Sequence, residues 1–249
     1  MNNDPFQMQR ELRYGAPVCD QILTGRYFTV GYSWYFRQAK WVLEVVNPND
    51  HLMVDTERKN KFRADLRIPH RFRAGLGHFK GSGFDRGHLA ASANQDALEV
   101  QNSETFLLSN MSPQAPKFNQ GKWRELEDAV RRLDADKNTL ETYVLTAPVF
   151  DFRKTIKTLG DRNNTFGIDV PVPHYFVKSV LAEKKSGALW LWTFMMPNEA
   201  TNKNLEDYRV KTYDAEQYVG GRFWDRVAGG DLHSQKKKPR KMWNYRKSV

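Results

Sequence analysis

"GSGFDRGHLAAS", residues 81–92, sets Asp85, Arg86 and His88 within four positions of one another in a stretch hemmed by glycines. On those residues alone two readings compete. In the first the chain simply turns, Asp85 and Arg86 are solvated, and His88 packs. In the second they form a reaction site, because imidazole with an ordinary pKa of about 6.5 can take a proton from water near neutral pH. The segments on either side bear on the choice.

Downstream, "FNQGKWRELE" (118–127) opens the clearest helical pattern in the chain. Trp123, Leu126, Val130 and Leu133 recur at three- and four-residue intervals, which predicts a helix over 120–134. Asn119, Trp123 and Glu127 are spaced by four, and helical residues four apart differ in direction by only ~40°, so Asn119 and Glu127 can face one site. No second histidine or cysteine stands at ligand spacing from His88, so a zinc centre is not expected. The amide oxygen of Asn119 suits a hard cation, and Mg2+ accepts sparse protein ligation by keeping waters and taking oxygens from a phosphate. Arginines supply fixed donors for charge growing on phosphoryl oxygens. Together these parts describe phosphodiester hydrolysis. Each also has a plainer reading: Asn119 as a helix cap, Glu127 as a partner of Arg131 four residues on, Arg58 and Arg86 as solvated cations, and Asn110 as a structural amide.

The net charge is +10, and two segments hold more than all of it. Residues Arg58 to His88 contain nine Lys/Arg against Asp65 and Asp85, and "KKKPRKMWNYRK" (236–247) contains seven basic residues and no acid. The rest of the chain is therefore net acidic, a distribution that draws a polyanion to particular places, nucleic acid first among them. With 249 residues, 40% of them hydrophobic, the chain supports one core. The expected organisation is a single domain over 1–235 and a basic tail over 236–249, disordered or loosely docked. No apolar run approaches the ~20 residues of a membrane span, and a single cysteine, Cys19, excludes an internal disulfide. The opening "MNNDPFQMQRELRYGAP" carries neither a secretory signal nor a transit-peptide pattern. Residence stays open between mitochondria, after removal of a leader, and cytoplasm or nucleus.

"RYFTVGYSWYFRQAKWVLEVV" (26–46) and "HYFVKSVLAEKKSGALWLWTFMMP" (174–197) read as β-hairpins and "LETYVLTAPVF" (140–150) as a buried strand. "TFLLSN" (105–110) reads as a short strand before a proline-marked loop, and 202–221 as a weaker helix ending at paired glycines. Trp34, Trp41, Trp190 and Trp192 lie in strand-like runs and are expected in the core. Strands, then a helix, then strands predict an α+β fold on a mainly antiparallel sheet.

"GSGFDRGHLAAS", "TFLLSNMSPQ" and "FNQGKWRELE", in that order, resemble the successive motifs of the DNA/RNA non-specific endonucleases with the ββα-metal (His-Me finger) fold, most closely their endonuclease G branch. "ERKNKFRADLRI" (57–68) resembles that family's arginine-bearing segment, and weaker similarity runs from "LRYGAP" to "MMPNEA". The resemblance implies a ββα-metal core with flanking helices and an enzyme that cuts DNA and RNA to 5′-phosphate and 3′-hydroxyl ends. It implies Mg2+, with Mn2+ as a substitute, a homodimer, and control by an inhibitor protein as an open question. By the same resemblance His88 is the general base, Asn119 the direct metal ligand, and Glu127 the carboxylate that holds water on the metal. Arg58 stabilises the transition state, Arg86 binds phosphate, and Asp85 and Asn110 support the site. The rival readings are a nucleic-acid-binding protein on a decayed nuclease fold and a phosphatase or phosphodiesterase for small nucleotides.

Overall fold

The computed structural model describes residues 9–48, 61–160, 169–227 and 230–245. Arg58 lies outside the described residues. In chain order the elements are strands β1 (Gln21–Thr24), β2 (Phe28–Ser33) and β3 (Gln38–Val45), helix α1 (Leu76–Phe79), strand β4 (Asp85–His88), helix α2 (Glu99–Glu104), strand β5 (Met111–Gln114) and helix α3 (Arg124–Asp134). Strands β6 (Thr139–Val149), β7 (Thr158–Leu159), β8 (Val170–Pro171), β9 (Tyr175–Lys184) and β10 (Leu189–Pro197) follow, then helices α4 (Thr212–Val219) and α5 (Gly230–Lys237).

Six strands form one antiparallel sheet in the order β1-β2-β3-β6-β9-β10. Successive strand residues point to opposite faces, and the two faces meet different layers. Trp41, Leu43 and Val45 of β3, Tyr143, Leu145 and Ala147 of β6 and Leu181 of β9 pack in one cluster with residues of α4 and α5. Their neighbours Val42, Val144, Val180 and Ala182 pack in another with Leu126, Ala129, Val130 and Leu133 of α3. With both faces covered, the inner strands are nearly continuous in apolar residues, which is why the hairpins and the 140–150 strand are legible as runs. A third, smaller cluster joins Ala74, Phe79, Leu108, Met111, Leu159, Val170 and Val172, with Phe62 and Phe84 against it. The two-stranded β4–β5 ribbon contributes Met111 to this cluster.

Four local expectations change. Leu108–Asn110 is a 3-10 turn, and the strand is the next segment, Met111–Gln114. Pro113 has no N–H to give, yet β5 pairs only with β4, so its other edge makes no demand on it. Residues 202–221 form a 3-10 turn at Leu205–Tyr208 and then α4, closed by Gly220 in the left-handed region (φ 69°). Trp34 and Trp190 are surface residues: Trp34 stacks on Phe72 and Trp190 lies under the Arg240 guanidinium, while Trp41 and Trp192 are buried. The basic C-terminal segment packs on the fold through Tyr245. The boundary expected after residue 235 falls inside α5, and Met242 and Tyr245 are 5% and 6% exposed in the α3-side core. Trp243 Nε1 donates to the Ala129 carbonyl of α3, and Trp192 Nε1 donates to the Lys241 carbonyl, both at 2.9 Å. The aromatic and methionine residues interleaved with the lysines bury themselves and carry the backbone with them.

Candidate active site

The β4–β5 ribbon pairs Asp85 with Gln114, Gly87 with Ser112 and His88 with Met111. Its entry is bent by Gly83, in the left-handed region at φ 80°. Gly87 answers a different need: a Cβ there would overlap the fully buried Gln114 side chain across the ribbon. The exit from β4 is fixed by Asn110, which has no exposed surface. Its Oδ1 accepts from Ala90 N at 2.9 Å, and its Nδ2 donates to the carbonyls of Ala90 and Thr105 at 3.0 and 2.9 Å. Every polar atom of that side chain is spent on backbone, so Asn110 shapes the loop after His88.

Ahead of α3 the chain makes a π-helical turn, Phe118–Trp123, which shifts the phase between Asn119 and Glu127 from that of an unbroken α-helix. This turn brings Asn119 and Gln120 to β4: both amides donate to Asp85 Oδ2 at 2.9 Å. An ionised carboxylate only accepts, so each amide must turn its NH2 group to Asp85. Asn119 Oδ1 is thereby directed away from Asp85 as an acceptor, and its orientation is set by the strand that carries His88.

His88 is half-buried, edge-on to Phe106 at 4.9 Å between ring centroids and tilted against Phe62 at 5.8 Å. The same Phe62 ring lies 4.2 Å beneath the guanidinium of Arg86, which is exposed. One phenyl group therefore organises both the histidine and the arginine of the motif. Glu127, half-buried on α3, stands over a polar patch on the sheet. Burial pushes the Glu44 carboxyl up to about 7, and the Lys178 ammonium opposes that rise. Lys178 is itself pulled below the usual lysine range by burial, against the charges of Glu127 and Glu44.

The donor set fits a sparsely held hard cation. Among the described residues no three His, Cys, Asp or Glu side chains converge as a cage, whereas the Asn119 amide oxygen and the Glu127 carboxylate match what Mg2+ accepts when it keeps waters and takes phosphate oxygens.

The basic approach segment is less uniform than its composition implies. Arg67 forks onto the buried Asp65 at 2.9 and 2.7 Å, and Ser109, beside Asn110, donates to the same carboxylate at 2.7 Å. Arg63 donates to the Ser103 carbonyl and Arg73 to that of Ile68. These arginines brace the loops around the ribbon. Phe62, Gln114 and Gln120 are not singled out by the sequence reading, and Glu44 and Lys178 are marked only as polar interruptions of apolar strands. Phe62 lies inside the arginine-bearing segment, but nothing in its spacing ties it to His88.

A family model for DNA/RNA non-specific endonucleases matches residues 10–229. The chain belongs to that family. The nuclease is 34% identical over 219 residues to human mitochondrial endonuclease G, a match covering 84% of this chain and 71% of that protein. It is 32% identical over 213 residues to mitochondrial endonuclease G of Caenorhabditis elegans, covering 81% and 67%. Against Nuclease C1 of Cunninghamella echinulata var. echinulata it is 31% identical over 231 residues, covering 87% and 88%. A crystal structure of an EndoG/EndoGI complex, described as showing the mechanism of EndoG inhibition, superposes with a TM-score of 0.78 at 27% identity, covering 88% of this chain and 91% of that one. The expected α+β, ββα-metal architecture is the observed one, and the chain is a nuclease.

Proposed function

We propose that this nuclease is a Mg2+-dependent, sugar-non-specific endonuclease that hydrolyses DNA and RNA to 5′-phosphate and 3′-hydroxyl ends, with His88 as general base. The observation that carries the reading is the hold of Asp85 on Asn119, three residues before His88 on the same strand. Asn119 Oδ1 would hold the cation directly and Glu127 would hold a water beside it. When bound, such an ion supplies positive charge for the oxygen that leaves phosphorus. The neutral His88 ring takes the proton of the attacking water, kept in place by Phe62 and Phe106. Arg86, over the Phe62 ring, donates to a non-bridging phosphate oxygen. Arg58 is assigned to transition-state charge on the sequence resemblance alone. Contacts of this kind go to backbone phosphates and carry no base information, in keeping with non-specific cleavage. The mitochondrial names of the endonuclease G relatives support residence there, and the inhibitor-bound neighbour supports control by an inhibitor protein. The endonuclease G resemblance is the sole support for a homodimer.

The test is cleavage of supercoiled plasmid and of a long RNA by wild type and His88→Ala, each with Mg2+ and with EDTA. Wild type with Mg2+ should cut both polymers. Loss of the base should cost about 10²- to 10⁴-fold in rate while binding persists. Full activity of His88→Ala would sink the mechanism, and binding by both proteins with cleavage by neither would favour the non-enzymatic reading.

A further inference from the structure

Beside the Asp85 end of the ribbon runs a groove of about 310 Å³ lined by Phe84, Lys154, Lys157, His174, Tyr175 and Asn198, among others. We propose that it seats one nucleotide of the substrate strand flanking the scissile phosphate, with Lys154 and Lys157 on its phosphate and the Phe84 and Tyr175 rings against its base. This deepens the endonuclease reading and rests on the ribbon as reaction centre.

Three observations carry it. The first is continuity. Phe84 directly precedes Asp85, and Asn198 Nδ2 donates to the Pro113 carbonyl at 3.0 Å while its Oδ1 accepts from Ala115 N at 2.8 Å. Ala115 O in turn accepts from Asn119 N at 2.9 Å, so the groove wall and the proposed cation ligand are joined through one turn of backbone. Phe84 and Val172 of the groove also pack in the cluster that holds Met111, opposite His88, and Phe62. The second is charge. Lys154 and Lys157 are both exposed, and Glu199 is the one carboxylate among the groove's lining residues. The nearby Asp151 is occupied by Arg153. The third is the fixed aromatic framework. Lys154 Nζ donates to the Tyr175 hydroxyl at 2.7 Å and lies 4.9 Å from its ring centroid, which holds the ammonium at the rim. His174 accepts from Asp151 N through Nδ1 at 3.1 Å, so Nε2 carries the proton and donates to the Thr155 carbonyl at 3.1 Å. Both ring nitrogens of that imidazole are thus spent on backbone, and the ring serves as a wall. A cationic rim with aromatic sides is what a nucleic-acid strand needs without base readout, since stacking tolerates every base and phosphate contacts ignore sequence.

The test compares wild type, the double variant Lys154→Gln/Lys157→Gln and His88→Ala on a single-stranded oligonucleotide over a range of salt, then on the same oligonucleotide carrying one neutral methylphosphonate moved stepwise along it. The double variant should raise KM about five- to tenfold, with the effect on KM rather than kcat, and flatten the log–log salt slope by about 0.7 for each phosphate that the side chains no longer neutralise. Wild type should be hindered by a methylphosphonate at one position flanking the cut, and the double variant should lose that sensitivity. A double variant with wild-type KM, salt slope and methylphosphonate pattern overturns the groove assignment. Full cleavage by His88→Ala overturns the reaction centre instead.

Discussion

Replacing Lys178 with methionine keeps most of the side chain's volume and removes the ammonium beneath the active-site helix. Lys178 lies on the α3 side of β9, only 1% exposed. Its Nζ donates at 3.0 Å to Thr146 Oγ1, its direct cross-strand neighbour on β6, and sits 4.6 Å from the Trp123 ring centroid. Glu44, also 1% exposed and on the same face of β3, accepts from Ala91 N and Gln95 Nε2 at 3.4 Å. One cation thus serves Glu44 below and Glu127 above. Removing one partner of a buried ion pair costs ~3–5 kcal/mol.

Part of that cost must depend on pH, and its sign is fixed. Burial raises Glu44 from an ordinary 4.5 to about 7. A carboxyl raised in the folded state contributes most below its unfolded pKa, and the contribution is lost as pH rises through the folded pKa. In wild type that loss runs from the ordinary carboxylate range until pH has passed the folded value of about 7. Without Lys178 the Glu44 pKa rises further, so the loss continues into the alkaline range at up to ~1.4 kcal/mol per pH unit. The wild-type lysine, depressed by burial, bears its own cost toward acid, which the variant escapes. Both effects make Lys178→Met more damaging in base than in acid. Urea unfolding followed by tryptophan fluorescence in EDTA, at about pH 5.5 and about pH 8.5, measures the difference. Glu44→Gln in the same background should recover much of the alkaline loss. An equal penalty at both pH values, or no recovery, would refute the reasoning.

Gly87→Ala should destabilise by about 1–3 kcal/mol through overlap with buried Gln114, lowering the calorimetric Tm by roughly 2–4 °C per kcal/mol; an unchanged Tm would show that Gln114 yields without cost. Asp85→Ala removes the acceptor that orients Asn119 and Gln120, so Mn2+ affinity measured by calorimetry should fall about 10- to 100-fold. Affinity equal to wild type would mean that Asn119 is oriented by something else. Deleting residues 240–249 should cost several kcal/mol, because Met242, Trp243 and Tyr245 leave the core and each large apolar side chain contributes about 2 kcal/mol. If urea unfolding is unmoved and only nucleic-acid binding weakens, the segment is an appendage after all.

The parts of the fold legible in the sequence are those in which local pattern and tertiary demand coincide. β6 and β9 are buried on both faces and, with most of β10, read as apolar runs, and α3 reads from its 3.6-residue stripe. β5 is different. "MSPQ" has no strand pattern, and it is extended because the ribbon needs a partner for "DRGH" and tolerates a proline on an edge that no further strand pairs. The C-terminal segment misleads through its charge: seven basic residues in twelve suggest a solvated tail, yet Met242, Trp243 and Tyr245 among them decide its position.

At the candidate site the sequence supplies the residues proposed for the chemistry and misses several of those that pack around them. Asp85, Arg86 and His88 are visible because they crowd into one short glycine-flanked stretch, and Asn119 because its segment resembles a family motif. Phe62 is 26 residues from His88, and Glu44 and Lys178 are 134 residues apart. Contacts over such distances leave no periodicity, because the intervening loops fix nothing about register. The one local clue is a polar residue inside an apolar strand, Glu44 in "WVLEVV" and Lys178 in "YFVKSV". Buried charge is retained only where something pairs with it, so two such interruptions on strands that β6 alone separates already imply each other. That both lie on the α3 face follows from strand register, since Glu44 shares the side of Val42 and Lys178 that of Val180. The charge that supports Glu127 is therefore set by the parity of two strands, and a one-residue slip of β9 would move it to the opposite face of the sheet.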